Sequence, residues 1–143
     1  MNLRTTWNRN IETPFRSEIE SSLSKFSWLI PGWLHRLHVN LVLSDGDGVM
    51  ASIRVHYEYR EACLDVMPDW LNQPGPERDR QILHELLHLH LALIADFARD
   101  TFNTLSSPND GSKINTFINN ELRTRHESAT QDLAEAIFQR FPD

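Results

Sequence analysis

The sequence predicts an α+β domain, and three observations carry that prediction. Apolar residues recur at helical spacing near the N-terminus, apolar and polar residues alternate through residues 37–67, and helical spacing returns for the second half. One helix, then strands joined by short turns, then helices is the segregated order of α+β folds, not the strict alternation of α/β folds. At 143 residues the chain fits one domain, residues 1–143, large enough to bury a core without disulfide staples.

Thr13 followed by Pro14 is a helix start, with Thr as cap and Pro at the first helical position. Phe15, Ile19, Leu23 and Phe26 then recur every three or four residues, which predicts an amphipathic helix over 14–26. The run Ile30-Pro31-Gly32-Trp33 ends it. From residue 35 the period becomes two: Leu37, Val39, Leu41 and Leu43 alternate with His38, Asn40 and Val42, a half-buried strand. Ser44-Asp45-Gly46-Asp47-Gly48 reads as a turn, because it lacks the twelve-residue pattern and closing Glu of a calcium loop. A second strand is expected over 50–59, with Ile53, Val55 and Tyr57 on one face and Arg54, His56 and Glu58 on the other. After a reversal near Arg60-Glu61, a third strand runs through Cys63, Leu64, Asp65, Val66 and Met67 to Pro68. Short connections suggest that the three form a small, mostly antiparallel meander.

Residues 77–105 read as one long helix whose apolar residues, Leu83, Leu86, Leu87, Leu89, Leu91, Leu93, Ile94 and Phe97, go nearly all the way round. Such a helix is expected to be buried. The run 106–111 is a breaker, and beyond it Ile114, Phe117, Ile118 and Leu122 form one helical stripe. Leu133, Ala134, Ile137, Phe138 and Phe141 form a second stripe out of phase with the first, which predicts a bend or break near residues 124–127.

Composition narrows the function classes. A net charge of −6 disfavours broad contact with nucleic acid, leaving only a local basic patch around residues 123–126. The first twelve residues lack the apolar core of a signal peptide, and no apolar run reaches membrane-spanning length. The expectation is a cytoplasmic protein with no membrane partner. The single cysteine, Cys63, fits a reducing compartment and reads as a small strand residue, not a nucleophile. None of these patterns specifies an oligomeric state.

The chemistry lies in Leu83-His84-Glu85-Leu86-Leu87-His88-Leu89. Residues four apart on a helix sit one above the other, so His84 and His88 can direct two imidazoles at one metal ion. Glu85 lies about 100° further round, beside the metal, where its carboxylate can take a proton from a water as general base. In an apolar helix these polar groups demand partners or a metal. His90 is about 200° from His88 and outside the site. A catalytic zinc site needs a third protein ligand. Of the downstream candidates Glu121, His126, Glu127, Asp132 and Glu135, both His126 and Glu127 fall near the apolar side, and periodicity does not separate them.

The segments 82–89 and Glu127-Ser128-Ala129-Thr130-Gln131-Asp132-Leu133-Ala134 together resemble the minimal gluzincin metallopeptidases, including the phage and prophage proteins of the ImmA/IrrE-like group. In that family the downstream glutamate opens a helix and is followed, six and seven residues on, by a large apolar residue and Ala, places held here by Leu133 and Ala134. The resemblance implies a zincin-like fold with a C-terminal helix carrying the third ligand. It also implies one Zn2+ per chain held by His84, His88 and Glu127 with a water in the fourth position, and peptide-bond hydrolysis, endopeptidase sooner than exopeptidase. The partner implied is a protein or peptide substrate, met in the host cytoplasm if the chain is phage-encoded. In the family the last strand before the motif helix is a sheet edge, so Cys63, Leu64, Asp65, Val66 and Met67 would pair with an extended peptide. The chain departs from the larger thermolysin-like members in having no Asn-Glu-x-x-Ser-Asp run and no matching Tyr or His transition-state stabiliser. His126 is the candidate for that stabiliser or for a supporting contact. The alternative expectation is a noncatalytic, zinc-stabilised structural or regulatory phage protein.

Overall fold

The computed structural model describes residues 3–8, 11–43, 48–105 and 112–140. The turn expected at 44–48, except Gly48, the breaker at 106–111 and Phe141 lie outside the described residues. Among the described residues the architecture is α+β, with three α-helices and one four-stranded mixed sheet. In chain order the elements are β1 (Arg4–Trp7), α1 (Thr13–Lys25), β2 (Arg36–Leu41), β3 (Ala51–His56), β4 (Glu61–Val66), α2 (Gly75–Leu105) and α3 (Ser112–Arg140), with short 3-10 turns between several of them. The chain divides into two compact units, Met1–Leu89 and His90–Asp143, the boundary falling inside α2. No described helix is long and apolar enough to cross a membrane.

The first unit holds the sheet. α1 forms where expected and buries Phe15, Ile19 and Leu23, with Phe26 just beyond its end. Its boundary sits one residue earlier than the Thr-Pro signal suggests: Glu12 is the cap residue and Thr13 is already helical, its carbonyl accepting a bond from the Ser17 hydroxyl. Pro14 fits in this first turn because a first-turn N–H has no intrahelical acceptor.

The sheet departs from the expected meander. Its order is β1-β2-β4-β3, with β1 parallel to β2, β2 parallel to β4, and only β3 and β4 antiparallel. Strand alternation says which face a residue points to but not which strand lies alongside, and here β4 inserts between β2 and β3. The hairpin from β3 to β4 turns through a 3-10 turn at Tyr57–Tyr59 and ends on Arg60 in the left-handed region, φ +55°. β1 adds a fourth strand that pattern reading does not find, since four residues, two of them threonine, offer too little alternation.

The two faces of the sheet differ sharply. Leu37, Val39, Ala62 and Leu64, held in register across β2 and β4, are fully buried. They share unit 1 with the other buried residues Leu34, Trp70, Ile82, Leu83, Leu86 and Leu89. The opposite face is a polar ladder. His38 shares hydrogen bonds with Thr6 at 2.6 Å and Glu61 at 3.3 Å, Arg36 pairs with Glu61 at 2.6 Å, and Asp65 accepts from Asn40 and pairs with Arg54. α1 is tied to the start of α2 by Asp79, which accepts from Ser22 and Lys25 at 2.6 Å each, and by Arg78 with Glu18. Arg78 also lies over the ring of buried Trp70.

The expected burial of α2 holds for its first part only. Ile82, Leu83, Leu86, Leu87 and Leu89 are buried, whereas Leu93, Ile94, Phe97 and Leu105 are exposed. α3 runs unbroken from Ser112 to Arg140, without the break expected near 124–127. The out-of-phase stripes need no bend because they are not both buried: Ile114, Phe117 and Leu133 are exposed, and of the second stripe Ala134 is buried.

Candidate metal centre

His84, Glu85 and His88 lie on the buried part of α2, in the first unit. Their sequence neighbours Leu83, Leu86, Leu87 and Leu89 anchor that stretch in the core, which fixes the backbone from which the three polar side chains project. The imidazoles meet as the four-residue spacing predicts. The two Nε2 atoms are 3.0 Å apart, and the rings stand edge to face at 77° with centroids 4.8 Å apart. One potential ligand atom from each of His84, Glu85 and His88 lies within 4.8 Å of the others, and this is the group of three able to hold a metal ion among the described residues.

The donors fit a metal. Two imidazole nitrogens bound to one tetrahedral zinc at 2.0–2.1 Å lie about 3.3 Å apart, so the observed 3.0 Å needs a shift of only a few tenths of an ångström. The same spacing serves an N–H···N hydrogen bond between the rings when one imidazole carries the proton on Nε2. Imidazole nitrogen with a carboxylate suits zinc and several other transition metals.

Glu85 is buried at 9 % exposure and brings a carboxylate oxygen within 4.8 Å of a ring nitrogen of each histidine, the place beside the pair that a position about 100° round the helix gives it. The side chain is long enough to fold back over the preceding turn, the direction in which helical side chains lean. His90 is exposed and belongs to the second unit.

Glu127 and His126 are described on α3, in the second unit. Glu127 is exposed and His126 partly buried; His126 lines a cavity of about 280 Å³ with Asp96, Arg99 and Asn119. The hydroxyl of fully buried Thr130, three residues after Glu127, donates to the His126 carbonyl at 2.8 Å.

The expected edge strand is corrected by the sheet. Cys63, Leu64, Asp65 and Val66 belong to β4, which is bonded to β2 on one side and β3 on the other, and the Met67 N–H donates to the Met50 carbonyl at 2.9 Å. A strand with both edges occupied has no backbone groups left to pair with a peptide. Among the described residues the outer strands of the sheet are β1 and β3. Cys63 is half-buried and its thiol is pushed above the ordinary thiol range, chiefly by burial and against the pull of the Arg54 guanidinium. That keeps it protonated at neutral pH, as expected for a strand residue without a nucleophilic role.

One residue close to the cluster escaped the sequence reading. Gln81 lies one turn before His84 on the same side of α2, and its buried Oε1 has no hydrogen-bond partner among the described residues. Helical spacing from His84 was the available signal, since residues three apart share a face. No protein-family model, curated protein or solved structure matches the chain.

Proposed function

We propose that the chain is a zincin-like, zinc-dependent peptidase that hydrolyses extended protein segments, with His84 and His88 as ligands, Glu127 as third ligand and Glu85 as general base. The observation that carries this reading is the convergence of two Nε2 atoms 3.0 Å apart with a buried carboxylate one residue on. When bound, zinc would polarise the scissile carbonyl and bring the pKa of a coordinated water to about 7.

The chain's own groups do the rest. His84 and His88 would present one ring nitrogen each from a stretch of helix whose neighbouring leucines are buried in the core. Glu85, taken largely out of solvent, accepts the proton of the attacking water and hands it to the leaving amine, a role that contributes about 10²–10⁴-fold in rate. Glu127 completes a ligand set of two imidazoles and a carboxylate. Strand addition of a substrate falls to an outer strand, β1 or β3, and not to β4.

A second reading, a noncatalytic metal-stabilised module, is favoured by one observation: the Glu85 carboxylate is itself within ligand range of both histidines. Glu85 would then bind the metal and leave no base. Metal analysis of Glu85→Gln with a peptide-library digest separates the two. The peptidase reading expects one zinc per chain retained and hydrolysis reduced by about 10²-fold or more. If Glu85→Gln loses its zinc, the module reading stands. Wild-type protein that purifies without metal, unaffected by chelator, overturns both.

A further inference from the structure

The second unit carries a feature that the metal centre does not use. From His90 on, α2 presents His90, Ile94, Phe97, Thr101 and Leu105 to solvent, all exposed, with Ile94 at 70 %, Phe97 at 73 % and Leu105 at 81 %. At 100° per residue the five fall within an arc of about 80°. Their spacings of four, three, four and four residues are those of a helix-pairing seam, in which apolar positions return every three to four residues. None of the five carries a formal charge. Exposed Leu93 widens the seam on one side, and small Ala98 flanks it on the other. α3 does not cover it. Within this unit Ala95, Asp96 and Arg99, centred roughly half a turn round from the seam, line the cavity shared with Asn119, Leu122 and His126 of α3.

We propose that this seam is covered by the same seam of a second copy, forming a two-fold helix pair along residues 90–105. Leu93, Ile94, Phe97 and Leu105 at their exposures present apolar area on the order of 500 Å². A specific protein–protein interface of standard size buries about 800 Å² per partner, and at the roughly 65 % apolar share of homodimer interfaces this needs about 500 Å² of apolar surface as a minimum. The match favours a copy of the chain as occupant. A seam of three large apolar residues with His90 and Thr101 between and beside them carries no acidic or basic residue of fixed charge to repel its own copy, and a two-fold contact satisfies both copies at once without leaving an open end for further growth. The inference is independent of the metal and of any peptidase activity.

Sedimentation equilibrium of the full chain over a hundredfold concentration range tests it, with Phe97→Glu and, as a second seam variant, Thr101→Arg. Both replaced residues are exposed, so circular dichroism and Tm of the variants should show an intact fold. The wild type is expected to sediment as two chains, and each variant to weaken association by about 30-fold or more, the loss typical of a central aromatic or a buried charge at an interface. Leu43→Glu, at an 85 % exposed apolar residue of the first unit, should leave association unchanged. A wild type that stays monomeric overturns the proposal, and so does a dimer that either folded seam variant leaves intact or that Leu43→Glu dissociates as readily.

Discussion

The two parts of α2 carry similar numbers of large apolar side chains, five up to Leu89 and six beyond it, and the two sets meet opposite fates. Before His90, Ile82, Leu83, Leu86 and Leu89 are shut off from solvent; after it, Leu93, Ile94, Phe97 and Leu105 stand largely in water. The helix itself does not cause the difference, since its backbone runs continuously from Gly75 to Leu105. What differs is the company each part keeps. The first belongs to the unit that contains the sheet's apolar face and α1, to which Asp79 and Arg78 tie it. The second belongs to a unit of two helical segments, in which a single neighbouring helix can cover only part of its circumference. The candidate metal ligands His84 and His88 lie in the first part, where a core holds their backbone, and the exposed seam lies in the second.

The sharpest way to break this comparison is to remove the same kind of side chain from each part. Leu86→Ala deletes a fully buried side chain, and the cavity plus lost transfer energy should cost about 2–5 kcal/mol. Ile94→Ala, made in the Phe97→Glu background so that association does not contribute, should change stability by no more than about 0.5 kcal/mol. Urea denaturation followed by circular dichroism reads both. Equal losses would show that burial does not divide α2 at residue 90.

The ties to α1 make a smaller contribution. Asp79→Ala removes the acceptor of both Ser22 and Lys25, and Ser22 is buried at 4 % exposure, so its hydroxyl loses its partner away from water. The expected loss is about 1–3 kcal/mol, most of it from the stranded hydroxyl, since the half-exposed Lys25 ion pair is screened by solvent. Ser22→Ala in the same background should recover part of that loss. A stability loss that Ser22→Ala leaves untouched would mean that Asp79 acts through some other contact.

The difference between the parts also explains how much of the molecule was legible beforehand. Period and punctuation were enough for α1, for the alternation of β2, β3 and β4, and for the His84–His88 pair, because each depends on neighbours a few residues away. β4's central place depends on which strand lies beside it, and that is a long-range choice the alternation of Cys63, Leu64, Asp65 and Val66 does not encode. The exposure of Ile94 and Phe97 was illegible for the same reason. An apolar stripe states what could be buried, and only the tertiary neighbours decide whether it is. The unbroken course of α3 belongs here too: two stripes out of phase imply a bend only when both must be buried. The place of Glu85 beside the pair was legible from the helical period, because one residue on from His84 lies about 100° round the helix.

The smallest expected effect sharpens the comparison at the edge of the metal centre. Gln81 holds a buried amide oxygen without a hydrogen-bond partner among the described residues, a group whose desolvation opposes folding, one turn from His84. If Gln81 only fills space in the buried part of α2, Gln81→Leu removes that penalty at similar volume and should raise stability by up to about 1 kcal/mol, with metal content and hydrolysis unchanged. The opposite combination, a stable variant in which kcat falls and the zinc remains, would move Gln81 from packing to the site, where its amide would hold substrate. A thermal melt and a metal-loaded digest of the one variant decide between these, because relief of a buried polar group raises Tm whatever the chemistry, and loss of a substrate contact lowers turnover whatever the stability.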